Sequence, residues 1–204
     1  MNRILRVVAI LAATIGFSSG LHAESAYDTV ERVSAEVLGK VEEWRSVYEE
    51  DPDKFFDEVA SVLDPAVDYR RMAFVVMGRE YYLAASDEQR ERFVVVFRKS
   101  MLETYAKGLL SVSNERVETL RPDRIDESVT NTDVEQILHS SKGKYSIIYR
   151  MRLGSDGVWQ LNNVTLEGVS LGSTFRNQFQ QSAEKHGGDI DKVIDAWQLG
   201  ASDG

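Results

Sequence analysis

The 204-residue chain carries 24 Lys and Arg against 33 Asp and Glu, a net charge of −9, with 43% apolar residues, three prolines and no cysteine. Such a chain suits one globular domain burying about 70% of its unfolded surface, and the composition excludes disordered and collagen-like architectures. Absent cysteine excludes disulfides, thiolate metal sites and a cysteine nucleophile, and the acidic balance argues against a nucleic-acid partner, whose phosphates call for clustered Lys and Arg.

Residues 1–23 read as a secretory signal peptide that is cleaved. Arg3 and Arg6 form a basic start, Val7 to Phe17 is an apolar run, and small residues lead to a cut after Ala23. The run is shorter than the about 20 residues a spanning helix needs. Its removal takes away two arginines and no acid, so the exported chain, residues 24–204, is more acidic still and is expected to form a single domain.

Val30, Val33, Val37, Val41, Trp44 and Tyr48 recur at three- and four-residue steps, which predicts an amphipathic helix over about 26–49. Asp51-Pro52-Asp53 ends it and opens a second, with Pro52 where a missing N–H costs nothing. Residues 68–77 read as a third helix ending at Gly78. Ser86 and Gln89 form a capping pair for the next, about 87–109, in which Phe93, Phe97, Met101, Tyr105 and Leu109 recur every four residues.

The period then changes to two. Tyr145, Ile147, Tyr149, Met151 and Leu153 alternate with mostly polar neighbours, Ser155-Asp156-Gly157 is a turn, and 158–167 is the returning strand. Further strands are expected at 115–120 and 128–139. Phe175, Phe179 and Ala183 imply a helix closed by Gly187-Gly188, and Ile190, Val193, Ile194 and Trp197 a last one. The expected fold is α+β: a curved antiparallel sheet of about four strands against a helical layer.

Chemistry-bearing motifs are few. Gly168-Val169-Ser170-Leu171-Gly172 matches G-x-S-x-G, the nucleophile elbow of serine hydrolases, between a strand and a helix. A serine esterase using Ser170 is therefore one reading. The other is a glycine-flanked turn into a helix capped by Ser173 or Thr174, and the missing βαβ repeats and glycine-rich oxyanion loop favour it. The exported chain has two histidines, His139 and His186, with no metal-binding spacing. This is a poor inventory for an enzyme, and no catalytic residue, metal or cofactor is expected.

Taken in order, the motifs resemble the MlaC family, the toluene-tolerance-type soluble phospholipid carriers of the Gram-negative periplasm. The resemblance spans about 27–198. It is carried by Met72-Ala73-Phe74-Val75-Val76-Met77-Gly78 with Tyr81-Tyr82, and by Ala84-Ala85-Ser86-Asp87-Glu88-Gln89-Arg90 followed by Phe93 and Phe97. Thr104-Tyr105-Ala106, Trp159, Glu167-Gly168-Val169-Ser170-Leu171, Gln178-Phe179 and Gly187-Gly188-Asp189 complete it. Where the family often has an aromatic residue and Asp after the strand Trp, this chain has Asn162 and Asn163.

The resemblance implies a monomeric periplasmic protein whose cargo is phospholipid, its acyl chains held in an apolar cavity enclosed between the curved sheet and the helices. Its implied partners are an outer-membrane lipoprotein–porin complex and an inner-membrane ABC transporter with an MCE subunit, and its implied role is maintenance of outer-membrane asymmetry. A non-enzymatic periplasmic adaptor is the remaining alternative. Met and aromatic side chains suit a cavity that adapts to different chains. The lipid-binding candidates are accordingly Met72, Val76, Phe97, Met101, Tyr105, Ile147, Tyr149, Met151, Trp159 and Leu161. The basic residues Arg70, Arg71, Arg79, Arg90, Arg92 and Arg98 are a candidate surface for a partner or headgroup.

Overall fold

A computed structural model describes residues 24–110 and 115–202, without the side chains of residues 107 and 198–202. The expected signal peptide lies outside the described residues.

Helix α1 (Ala26–Trp44) begins at a reciprocal cap: the Asp28 N–H donates to Ser25 Oγ, and the Ser25 N–H to Asp28 Oδ2, each at 3.2 Å. Its buried stripe, Val30, Val37 and Val41, is the one the spacing predicts, though the helix stops at Trp44 and Tyr48 falls in the following turns. Asp51 caps α2 (Pro52–Leu63) through the Lys54 N–H at 3.1 Å, and a 3-10 turn at Asp64–Ala66 leads to α3 (Tyr69–Ala84). Gly78 breaks α3 rather than ending it. Its φ of +72° is open to glycine at little cost, and helix resumes directly after it. The Ser86–Gln89 capping pair forms as expected, at 2.9 and 3.1 Å, and opens α4 (Asp87–Leu109).

The sheet is an antiparallel meander in the order β1 (Arg116–Leu120), β2 (Asn131–Ser140), β3 (Gly143–Leu153), β4 (Trp159–Leu166) and β5 (Val169–Ser170). Four strands match the sequence reading. The fifth is a two-residue addition made by a tight turn in which Glu167 (φ +48°) and Gly168 (φ +79°) are both left-handed, the pattern of a two-residue hairpin. Helices α5 (Leu171–Lys185) and α6 (Ile190–Ser202) follow.

Register decides which side chains face inward, because antiparallel partners share a face. Ile147 pairs with Gln136 and Leu166, Tyr149 with Val134 and Val164, and Met151 with Thr132 and Leu161. Arg150 opposes Asn163 whereas Met151 opposes Leu161, which leaves Asn162 as an extra residue, a β-bulge. Strict alternation would put Leu161 and Val164 on opposite faces. The bulge brings both inward, and it lies at the Asn162-Asn163 pair.

Among the described residues, three apolar clusters divide the interior. The largest joins α3 to α6 around Phe93, Phe97, Phe175 and Phe179, with ring centroids 5.1–5.7 Å apart. A second packs α1, α2 and α4 around Val41, Phe55 and Val59. The third joins the start of α1 to the sheet through Ala26, Val30, Val134, Met151 and Trp159. Between the last two lies unfilled space.

Candidate functional site

That space is a cavity of about 190 Å³ between α1 and the inner face of the sheet. A single water needs only about 10–15 Å³. Helix α1 contributes Val30, Val33 and Val37, the sheet contributes Val117, Leu138, Ile147, Tyr149, Met151 and Leu161, and Leu63, Val67 and Leu109 close the sides. Among the described residues no charged side chain lines it, and Thr29, Ser34 and Gln136 are the only hydroxyl- or amide-bearing ones outside Tyr149. Apolar walls around empty space have no partner atoms on one side and forgo dispersion contact, so an apolar ligand gains by filling them.

Of the ten side chains singled out from the sequence, the structure brings Ile147, Tyr149, Met151 and Leu161 together on the cavity wall. Trp159, 9% exposed, joins the cluster that closes one end and also borders a separate cleft at the start of α1, so it stands as a partition. Met72, Val76 and Phe97 are fully packed in the α3–α6 core, and Met101 rests against it. Tyr105 is half-exposed and meets the edge of Phe175 at 6.0 Å. Met72, Val76, Phe97 and Met101 stand behind the wall, since Val67 and Leu161 belong to both the cavity lining and that core, whereas Tyr105 is at the surface. The α1 wall was legible as an apolar stripe, but a stripe does not say whether it meets protein or void. Gln136 carried no sequence signal.

Burial pushes the Tyr149 phenol up to about 12. The folded state therefore keeps this phenol neutral where an unfolded chain ionises. This contribution to stability is complete below pH about 10 and is lost as pH rises toward 12. Urea midpoints measured at pH 9 and 11 should drop less between those values in Tyr149→Phe than in the parent; equal drops would contradict it.

Ser170 has a structural occupation. Its Oγ accepts from the Ser173 N–H at 3.3 Å as the N-cap of α5, and from Asn163 Nδ2 at 3.1 Å. The cap is thus Ser170 itself, not Ser173 or Thr174. Asn163 Oδ1 accepts from the Gly172 N–H at 3.0 Å and would lie 2.7 Å from a Cβ at that position, which accounts for the glycine. His186 is the C-cap of the same 15-residue helix, about 24 Å away along its axis, far beyond proton-transfer reach. Ser170→Ala should cost about 1 kcal/mol, the usual loss of a cap, and leave ligand binding intact. Denaturant titration with a lipid-uptake assay checks both; loss of binding in a folded variant would give Ser170 a further role.

The basic stretch is largely neutralised within the chain. Arg98 holds Asp64 through two bonds of 2.7 Å, Arg92 bridges Asp191 and Asp195, Arg70 pairs with Glu91, and Arg90 pairs with Asp87 while lying over the Tyr82 ring. Arg71 and Arg79 make no ion pair among the described residues. Among the described residues there is also no helix long and apolar enough to cross a membrane, and no cluster of three metal-ligating side chains.

A family model described as "MlaC protein" matches residues 31–199, most of the chain. The chain belongs to the MlaC family. A curated relative, the toluene tolerance protein ttg2D of Pseudomonas putida, is 28% identical over 175 residues, covering 86% of this chain and 80% of that protein. The crystal structure of a phospholipid-binding protein from Ralstonia solanacearum, in complex with a phospholipid, superposes with a TM-score of 0.79 at 23% identity. It covers 88% of this MlaC-family chain and 98% of the other, and the two share their fold.

Proposed function

We propose that this MlaC-family protein is a soluble periplasmic phospholipid carrier rather than an enzyme. In this reading it shuttles lipid between an outer-membrane lipoprotein–porin complex and an inner-membrane ABC transporter with an MCE subunit. The observation that carries the reading is the uncharged apolar cavity between α1 and the sheet. Family membership supports it, as does the phospholipid in the Ralstonia solanacearum structure of the same fold.

The energetics set what such a cavity must do. Two acyl chains hold roughly 30 methylenes, and at about 0.8 kcal/mol each their exposure to water costs on the order of 25 kcal/mol. A carrier offsets most of that with apolar wall and needs no nucleophile or metal. The present cavity is smaller than the roughly 300–1,000 Å³ of common ligand sites. It takes part of one chain as it stands, and a whole lipid enters as α1 and the sheet separate. Ile147, Tyr149, Met151 and Leu161 with the α1 valines form the first wall the lipid meets, and Met72, Val76, Phe97 and Met101 lie behind it.

The test is native mass spectrometry of detergent-free protein from the periplasmic fraction, with extraction and identification of what is bound. A stoichiometric phospholipid adduct is expected. Folded, lipid-free protein that takes up no added phospholipid would overturn the proposal. Exchange of lipid with each membrane complex, reconstituted in separate vesicles, tests the shuttling step.

A further inference from the structure

A cavity for hydrocarbon has no use for a primary amide, yet Gln136 lies in its wall, 1% exposed. Register turns it inward, opposite Ile147 on β3 and Thr119 on β1. A buried amide costs free energy unless its donors and acceptor are met. The donors are: Nε2 donates to Ser34 Oγ at 3.0 Å and to Thr119 Oγ1 at 3.1 Å.

Ser34 fixes which way the amide points. Its own hydroxyl proton goes to the Glu31 carbonyl at 3.1 Å, so toward Gln136 its oxygen has only lone pairs to offer. The amide nitrogen must face Ser34, and Oε1 is the atom left over, buried and with no partner among the described residues. A carbonyl oxygen in that position calls for an O–H or N–H donor. Ester carbonyls and phosphate oxygens only accept and cannot serve. An ammonium headgroup donates, but burying its charge in this uncharged wall is far more costly than burying a hydroxyl.

We propose that Gln136, oriented by Ser34 and Thr119, is a specificity-determining residue that receives a hydroxyl carried into the cavity by the lipid. The inference rests on the carrier reading above. Two lipid classes carry such a hydroxyl on the acyl or glycerol-backbone part of the molecule, which enters an uncharged cavity without burying the phosphate: a monoacyl phospholipid, through its free glycerol hydroxyl, and a phospholipid with hydroxylated acyl chains. A site built to bond a hydroxyl discriminates against the analogue lacking it, because its own polar atom is then left unpaired.

The test offers delipidated full-length protein two matched pairs from vesicles. One is 1-acyl lysophosphatidylethanolamine against its 2-O-methyl ether; the other is 3-hydroxyacyl phosphatidylethanolamine against the unsubstituted diacyl lipid. Bound lipid is quantified after extraction. The expected result is a preference of about tenfold for the hydroxyl-bearing member of at least one pair, the scale of one hydrogen bond to a buried acceptor. Which pair shows it identifies the source. In Gln136→Met the ratio of uptake within that pair should fall to about one, whatever the change in total uptake, with circular dichroism confirming that the variant is folded. Equal uptake within both pairs by the parent protein, the outcome if a trapped water satisfies Oε1, would overturn the inference, as would a preference that survives in Gln136→Met. Unsubstituted lipid bound without preference leaves the carrier reading standing; no lipid bound at all removes both.

Discussion

Ile147→Trp is expected to raise the melting midpoint of the lipid-free protein while cutting phospholipid loading at least tenfold. Ile147 projects from the middle of β3 into the cavity, opposite Gln136 and Leu166. In a filled core an enlarged side chain forces its neighbours apart and typically costs about 1–3 kcal/mol. Here the added ring enters space that is already open and gains apolar contact at about 25 cal/mol per Å² removed from water. A gain of about 1 kcal/mol moves the midpoint of a chain this size by about 2–4 °C. The same ring occupies the place of an acyl chain, so binding and stability change in opposite directions. Thermal unfolding paired with lipid quantification reads both. A lower midpoint with lipid retained would show that the space is not where lipid sits.

The second large effect belongs to the helical core. Phe97 is fully buried, stacked on Phe93 at 5.7 Å and edge-on to Phe175 at 5.3 Å. Phe97→Ala removes its transfer free energy and its ring contacts and leaves a hole that close-packed neighbours fill only in part, a cost of about 3–5 kcal/mol. Against a total stability of about 5–15 kcal/mol, that is a large share. Leu161→Ala, by contrast, truncates a side chain that already faces open space on one side, and should cost only about 1–2 kcal/mol. Urea unfolding of the two variants makes the comparison. Equal costs would mean that Leu161 is held as tightly as Phe97 and that the wall is core.

The contrast between those residues marks where sequence reasoning stops. The helix from Asp87 to Leu109 was legible to the residue, because the Ser86–Gln89 cap and the four-residue recurrence from Phe93 are local and the structure uses both. The strand from Gly143 to Leu153 was legible for the same reason, since alternation is set within the strand. Motif order also identified the family, and the match over residues 31–199 agrees. Gly78 was read as a stop and is a break, because a left-handed glycine ends one run of helix without preventing another.

Pocket and core were not separable in the same way, for a physical reason. Both are written in Val, Leu, Ile, Met and aromatic residues, and transfer from water favours burying them equally wherever the chain puts them. Whether Phe97 and Ile147 end beside a close-packed ring or beside empty space depends on how α5 and α6 pack on α4 for the one and how α1 spans the sheet for the other, relations between segments distant in sequence. The bulge at Asn162, the cap at Ser170 and the amide of Gln136 are of this kind too. Each takes its meaning from a partner across the fold: Met151 on the neighbouring strand, Asn163 across a hairpin, and Ser34 on a helix about a hundred residues earlier. Local pattern determines what each segment is, and only assembly decides what its side chains face.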